Sequence, residues 1–184
     1  MKTLTRKFPA LLSLLFGLVL SSGALAQTTA PPEDKSKRPS PPATAAATVA
    51  GVTVTINYRR PSVKGRPIFG GLVPYGQVWR TGANEATTFE VNKPVKINGQ
   101  PLPAGKYGLF TIPTATAWTV IFNKTSAQWG AFKYDEKQDA LRVQVKPTKT
   151  AAPVEQFAVS LNKTGKVTMQ WETAAAAFTV AAAK

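Results

Sequence analysis

From about residue 48 onward the chain is patterned almost entirely in period two. In the stretch 52–58, Val52, Val54, Ile56 and Tyr58 fall on one face and Thr53, Thr55 and Asn57 on the other, as a half-buried strand requires. The same alternation recurs at Trp118, Val120 and Phe122, at Leu141, Val143 and Val145, at Phe157, Val159 and Leu161, and at Val167, Met169 and Trp171. Shorter candidate strands occupy 87–91, 94–97, 106–112 and 177–181. No stretch of this region carries a helical apolar pattern of useful length. The alanine run 174–177 has helical propensity but lies between Trp171 and Phe178, so it reads as loop or strand.

Turn chemistry separates the strands where it should. Asn98-Gly99 between Val95–Ile97 and Pro101-Leu102 is a strong hairpin signal, and Asn162 to Gly165 joins two well-patterned strands. Eight to ten short antiparallel strands with one apolar face each predict an all-β domain, a β-sandwich or jelly-roll-like fold. Tyr58, Phe89, Phe110, Trp118, Phe122, Phe157, Trp171 and Phe178, each in phase with its strand, are the expected large core residues.

Two irregular segments break this rhythm. The first runs from Arg59 to Ala86, is stiffened by Pro61, Pro67 and Pro74, and carries Ile68, Phe69, Leu72, Val73, Val78 and Trp79. A loop of that length in a compact domain is either functional or packed by its own side chains. The second, Lys124 to Asp139, holds Trp129, Phe132 and Tyr134 among polar residues. Sandwich loops gather at the ends of the sheets, which is where these two segments would meet.

The N-terminal region is of another kind. Residues 1–26 have a cationic start at Lys2, Arg6 and Lys7, an apolar run from Ala10 to Leu20 and a closing Ala24-Leu25-Ala26, the pattern of an export signal cleaved before Gln27. The run is too short to span a bilayer. Residues 27–47, rich in Pro, Ala, Thr and charge, offer no large apolar side chain to bury and read as a disordered tether. A single domain is expected over 48–184. The predicted location is the periplasm or the extracellular space, with no membrane span in the mature form.

Composition then narrows the chemistry. The chain has neither His nor Cys, which removes the usual nucleophilic triads, thiolate chemistry, ordinary zinc sites and disulfides. No cofactor or metal is expected; Asp135, Glu136 and Asp139 are interrupted by Lys133 and Lys137 and lack EF-hand spacing. The formal charge is +14, or +11 without the three basic residues of the signal, and the basic residues are dispersed. That distribution fits a cationic exported surface better than a nucleic-acid interface. Asn123 and Asn162 each open an Asn-Lys-Thr acceptor pattern, but at strand ends, where Asn and Thr serve turns.

The candidate chemistry concentrates in 73–87. Arg80 is a bidentate anion fork, Asn84 an amide donor and acceptor, and Glu85 a carboxylate, with Arg60, Lys64 and Arg66 upstream. Tyr75, Trp79 and Trp129 are candidate faces for a sugar ring or an aliphatic ligand. One reading is a binding module for a small anionic or carbohydrate-like ligand, or for an envelope protein. A second is a carboxylate hydrolase of glycosidase type, pairing Glu85 with Asp135 or Glu136. A third is purely internal: Arg80 paired with Glu85, Asn84 capping a turn and Trp79 a buried plug.

The strings RPSVKGRPIFGGLVPYGQVWRTGANEAT, LPAGKYGLFTIP and QWGAFKYDEKQDALRV resemble the exported bacterial family known as domain of unknown function 2911, over roughly residues 48–181. The resemblance implies a secreted β domain and supplies no established activity. Some relatives carry an asparagine synthetase label; this chain has no cysteine for amide hydrolysis and no phosphate-cradling loop, and the label does not fit it.

Overall fold

The structure is a computed structural model that describes Asp34 and residues 38–183. The expected signal segment, and the expected tether apart from Asp34 and residues 38–47, lie outside the described residues. The fold is an antiparallel β-sandwich. One sheet has six strands in the order β1 (Pro42–Val49), β2 (Val52–Arg59), β3 (Thr87–Val91), β6 (Gly105–Pro113), β7 (Trp118–Asn123) and β8 (Asp139–Val145). The other has four, in the order β5 (Gln100–Leu102), β4 (Val95–Ile97), β10 (Lys166–Ala182) and β9 (Thr148–Leu161). Among the described residues the helical structure is the 3-10 turn Glu136–Gln138, and no helix is long and apolar enough to cross a membrane.

The period-two faces become the two inner walls. Val54, Ile56, Phe89, Leu109, Val120 and Phe122 of the large sheet meet Ile97, Phe157, Met169, Trp171 and Phe178 of the small one. Phe178 meets Phe89 and Phe122 edge-on, with ring centroids 6.2 and 5.6 Å apart. Phe110 is buried as expected but elsewhere. It lies with Ala86 and Ile121 on the outer face of the large sheet, covered by Ala131 and Tyr134 of the second irregular segment. Strand β6 is therefore buried on both faces along most of its length.

Two elements depart from the sequence pattern. The segment 42–47, expected in the tether, belongs to β1, which pairs with β2 from Pro42↔Arg59 to Val49↔Val52. Its small side chains bury only Ala45 and Val49, so the strand rests on ladder hydrogen bonds rather than on an apolar face. The runs at 167–171 and 177–181 are one strand, and Ala174–Ala177 is continuous with it. The ladder with β9 shifts on both sides of Glu172, whose φ is 54°, and buried positions change there from Val167, Met169 and Trp171 to Ala176, Phe178 and Val180. The residues in excess lie on β9, which runs from Ala158 to Lys149 while β10 runs from Gln170 to Ala174, and the left-handed backbone of Glu172 breaks the alternation of β10 and moves its apolar set by one position.

The turns follow their chemistry. Asn98 (φ 47°) and Gly99 (φ 84°) close the β4–β5 hairpin, and Asn98 Oδ1 accepts from the backbone N–H of Thr179 at 2.8 Å. Asn162 Oδ1 accepts from the N–H groups of Thr164 and Lys166, and Asn123 Oδ1 from that of Thr125. Both Asn-Lys-Thr patterns thus serve turns, as read from their positions.

Candidate functional site

The long first segment is packed by its own side chains and tied to both sheets. Beyond β2, the chain crosses to the edge of the small sheet, where Phe157 N–H donates to Pro61 O (2.9 Å) and Val63 N–H to Glu155 O (2.8 Å). Ile68 and Val73 are buried at the end of the sandwich. Trp79 exchanges two backbone hydrogen bonds with Thr111, extending the sheet beside β6 past the end of β3. Its indole stacks on Trp171 (5.7 Å, 17°), meets Phe157 edge-on (5.3 Å), and donates through Nε1 to Gly82 O at 3.0 Å. Trp79 is 7% exposed and acts as a plug.

This anchorage forces a tight turn immediately afterwards. Thr81 and Asn84 have φ of 53° and 57°, a conformation that is uncommon for any residue with a side chain and an outlier for a β-branched one. The turn is held by Thr87 Oγ1 donating to Thr81 O (2.6 Å) and by Thr81 Oγ1 bonded to Thr111 Oγ1 (3.2 Å). Gly82 lies against the Arg59 backbone, where an added Cβ would come within 3.1 Å of the carbonyl oxygen. Strain of this kind, about 1–3 kcal/mol per residue, persists only where the surroundings over-determine it.

Beside the turn opens a cavity of about 400 Å³. Arg80, Lys64 and Arg66 supply positive charge to it, Ser40 and Ser62 hydroxyls, and Leu72, Val73, Trp79 and Trp171 apolar wall. No carboxylate lines it among the described residues. Among the described residues the Arg80 guanidinium has no hydrogen-bond or ion-pair partner, and its Nε is buried. Burial pushes its pKa below the ordinary arginine value. Trp171, only 2% exposed, also lines the cavity, and its indole N–H has no acceptor. Two unmet donors on one cavity of mixed polar and apolar wall form an acceptor-seeking site, since each buried orphan costs about 1–3 kcal/mol.

Glu85 takes a different role from its neighbour. Its Oε2 accepts from Arg59 Nε (2.9 Å) and its Oε1 from Arg38 Nη1 (3.0 Å). The internal pairing expected between Arg80 and Glu85 is therefore replaced by pairs of Glu85 with Arg59 and Arg38. Arg38 also lies over the ring of Trp129, 5.4 Å from its centroid. The two irregular segments do meet: Ala86 N–H donates to Gln128 O (3.0 Å) and Gly130 N–H to Asn84 O (2.9 Å). Trp129 thus stands beside Glu85, apart from the Arg80 cavity.

The other candidates are dispersed. Asn84 holds the junction through its carbonyl and leaves its buried Nδ2 without an acceptor, but lines none of these cavities. Tyr75 lines a separate cavity of about 330 Å³ with Phe69 and Trp118. Arg60 bonds through its backbone N–H to Pro41 O, and its Nε is buried without a partner. Asp135 caps the 3-10 turn by accepting from Lys137 N–H, and Glu136 is 3.4 Å from Arg142. Both belong to a network centred on Asp139, which accepts from Tyr134, Arg142 and Asn123.

Sequence reasoning missed Arg38, Arg59 and Trp171. Arg38 sits in a stretch whose composition reads as tether, and Arg59 on the last position of a strand. Trp171 is in phase with its strand and is indeed core; only the unmet indole N–H makes it part of the site. The one available signal was Arg59-Arg60 at a strand end ahead of Pro61, two cations where the chain leaves the sheet.

No curated protein and no solved structure matches this chain. The family described as "Protein of unknown function (DUF2911)" matches residues 40–180, a span that opens just before β1 and takes in both irregular segments and, apart from Pro39, the residues that line the Arg80 cavity. The chain belongs to that family.

Proposed function

We propose that the protein is an exported, non-catalytic binding module whose Arg80 cavity takes a small organic anion. The observation that carries this reading is that, among the described residues, the guanidinium of Arg80 has no partner and the cavity of about 400 Å³ beside it has no carboxylate. A bound anion would supply the acceptors that Arg80 and Trp171 lack and would offset the desolvation of the cation. The apolar wall of Trp79, Trp171, Leu72 and Val73 favours an anion with a hydrocarbon or aromatic body over a bare inorganic ion. Export is supported by the pattern of residues 1–26.

The hydrolase reading draws no comparable support. Glu85 is engaged with two arginines, while Asp135 and Glu136 belong to the Asp139 network on the second segment. Catalysis by a carboxylate pair needs the two groups facing one substrate. The test is a thermal-shift panel on the purified protein with benzoate, hexanoate, phosphate and sulfate. An anion at about 100 times its Kd raises stability by about 2.7 kcal/mol. The expected order places the organic anions first, with the effect absent in Arg80→Gln. Equal shifts in Arg80→Gln would refute the assignment.

A further inference from the structure

A second cluster, separate from the Arg80 cavity, has the features of a binding platform. Trp129 is 55% exposed and Phe132 87% exposed, the two most exposed large apolar residues described. Trp129 is not loosely displayed. Hydrogen bonds from Ala86 N–H to Gln128 O and from Gly130 N–H to Asn84 O fix the backbone on either side of it, and Arg38 lies over the ring. An aromatic side chain held rigid in solvent loses little entropy on binding, which is the condition for a stacking surface.

Two shallow cavities, of about 390 and 330 Å³, flank this ring and share Ala127, Gln128 and Trp129. Gln128 supplies the second observation. It is 9% exposed, and its Nε2 donates to Thr125 O at 2.8 Å, which fixes the orientation of the amide. Its Oε1 is then left buried with no donor. A buried amide oxygen at the foot of an exposed aromatic platform seeks a hydroxyl or N–H from a ligand that also presents a flat apolar face. Lys106 and Lys133 border the two cavities and offer further donors.

We infer that this surface is a carbohydrate site. A pyranose ring would lay its C–H face on Trp129 and donate a hydroxyl to Gln128 Oε1. The ring faces of sugars are apolar and their rims are hydroxyls, which matches an aromatic plane beside an unmet acceptor. Such a ligand makes no use of Arg80, so the two sites stand or fall separately.

The experiment is a glycan array probed with the purified protein, followed by titration calorimetry with the best-bound oligosaccharide. Binding should fall at least ~10-fold in Trp129→Ala and in Gln128→Leu, be partly kept in Trp129→Phe, and be unchanged in Arg80→Gln. Circular dichroism melts confirm that each variant is folded, and Trp129→Phe supplies the readout if Trp129→Ala is not. Absence of binding to any arrayed glycan, or binding that survives both Trp129→Ala and Gln128→Leu, overturns the inference. So does co-sedimentation with phosphatidylglycerol vesicles that is lost in Phe132→Ala while no glycan binds, which would assign the aromatic surface to a lipid membrane.

Discussion

The Glu85 carboxylate joins three stretches of chain: the segment ahead of β1 through Arg38, the end of β2 through Arg59, and the turn that follows Arg80. Removing it leaves two largely buried guanidinium groups without this partner. Glu85→Gln should lower unfolding stability in urea by about 1–2 kcal/mol, less than for a fully buried pair because Glu85 is itself partly exposed. Arg80 is the opposite case. It has no partner to lose, so Arg80→Gln should leave stability within about 0.5 kcal/mol of wild type or raise it, while removing anion binding. These unequal roles were half legible. The residues that matter in 73–87 stand out by type, but which arginine meets the carboxylate depends on Arg38 and Arg59, brought there by strand pairing that no local pattern encodes.

Tyr134 gives a titration signature at the same scale. Burial, reinforced by the Asp139 carboxylate to which its hydroxyl donates at 2.6 Å, pushes its pKa up to about 12. The folded state therefore holds the phenolic proton more tightly than the unfolded chain, where tyrosine titrates near ~10. The resulting stabilisation is fully present below the unfolded value and is lost as pH rises from there through about 12. Burial also raises the pKa of Tyr107, so spectrophotometric titration should show a late phase that is reduced, not abolished, in Tyr134→Phe. The same variant should lose stability less steeply over that pH interval.

At the level of elements, the period-two pattern located most strands because burial and alternation coincide there. It failed where they part company. β1 is an edge strand of Ala and Thr, stabilised by pairing with β2, and leaves no apolar stripe to read. β10 looks like two strands because the left-handed backbone of Glu172 shifts its apolar phase; the change from odd to even positions was visible, but not the single residue that reconciles them. The β9–β10 turn supplies the sharpest test. Gly165 has φ 85°, its N–H donates to Asn162 O, and an added Cβ would fall on the Val180 carbonyl oxygen, which itself belongs to a strand position that cannot yield. Gly165→Ala should cost more than about 3 kcal/mol or prevent folding, against about 1 kcal/mol for an ordinary glycine replaced at positive φ in open space, such as Gly99. Comparable melting temperatures for the two variants would contradict this.

For the whole molecule, two sheets enclose a continuous aromatic and aliphatic core, and the two irregular segments join each other through Ala86–Gln128 and Gly130–Asn84 while the second covers the outer face of the large sheet. The first segment spends its apolar residues, Ile68, Val73 and Trp79, on the main core. Its cations are left facing a cavity. A scaffold that anchors Trp79 on Trp171 and forces Thr81 and Asn84 into positive φ keeps Arg80 unpaired when carboxylates are available elsewhere on the surface. The chain has no His or Cys for the common nucleophilic systems, and Glu85 is held by Arg38 and Arg59 rather than by Arg80. The most direct test is titration calorimetry of the purified protein with the organic anion that gives the largest thermal shift. Saturable one-to-one binding, weakened at least ~10-fold in Arg80→Gln and unchanged in Trp129→Ala, is the predicted result. Equal affinity in wild type and Arg80→Gln, or no heat of binding from any anion of the panel, would contradict it.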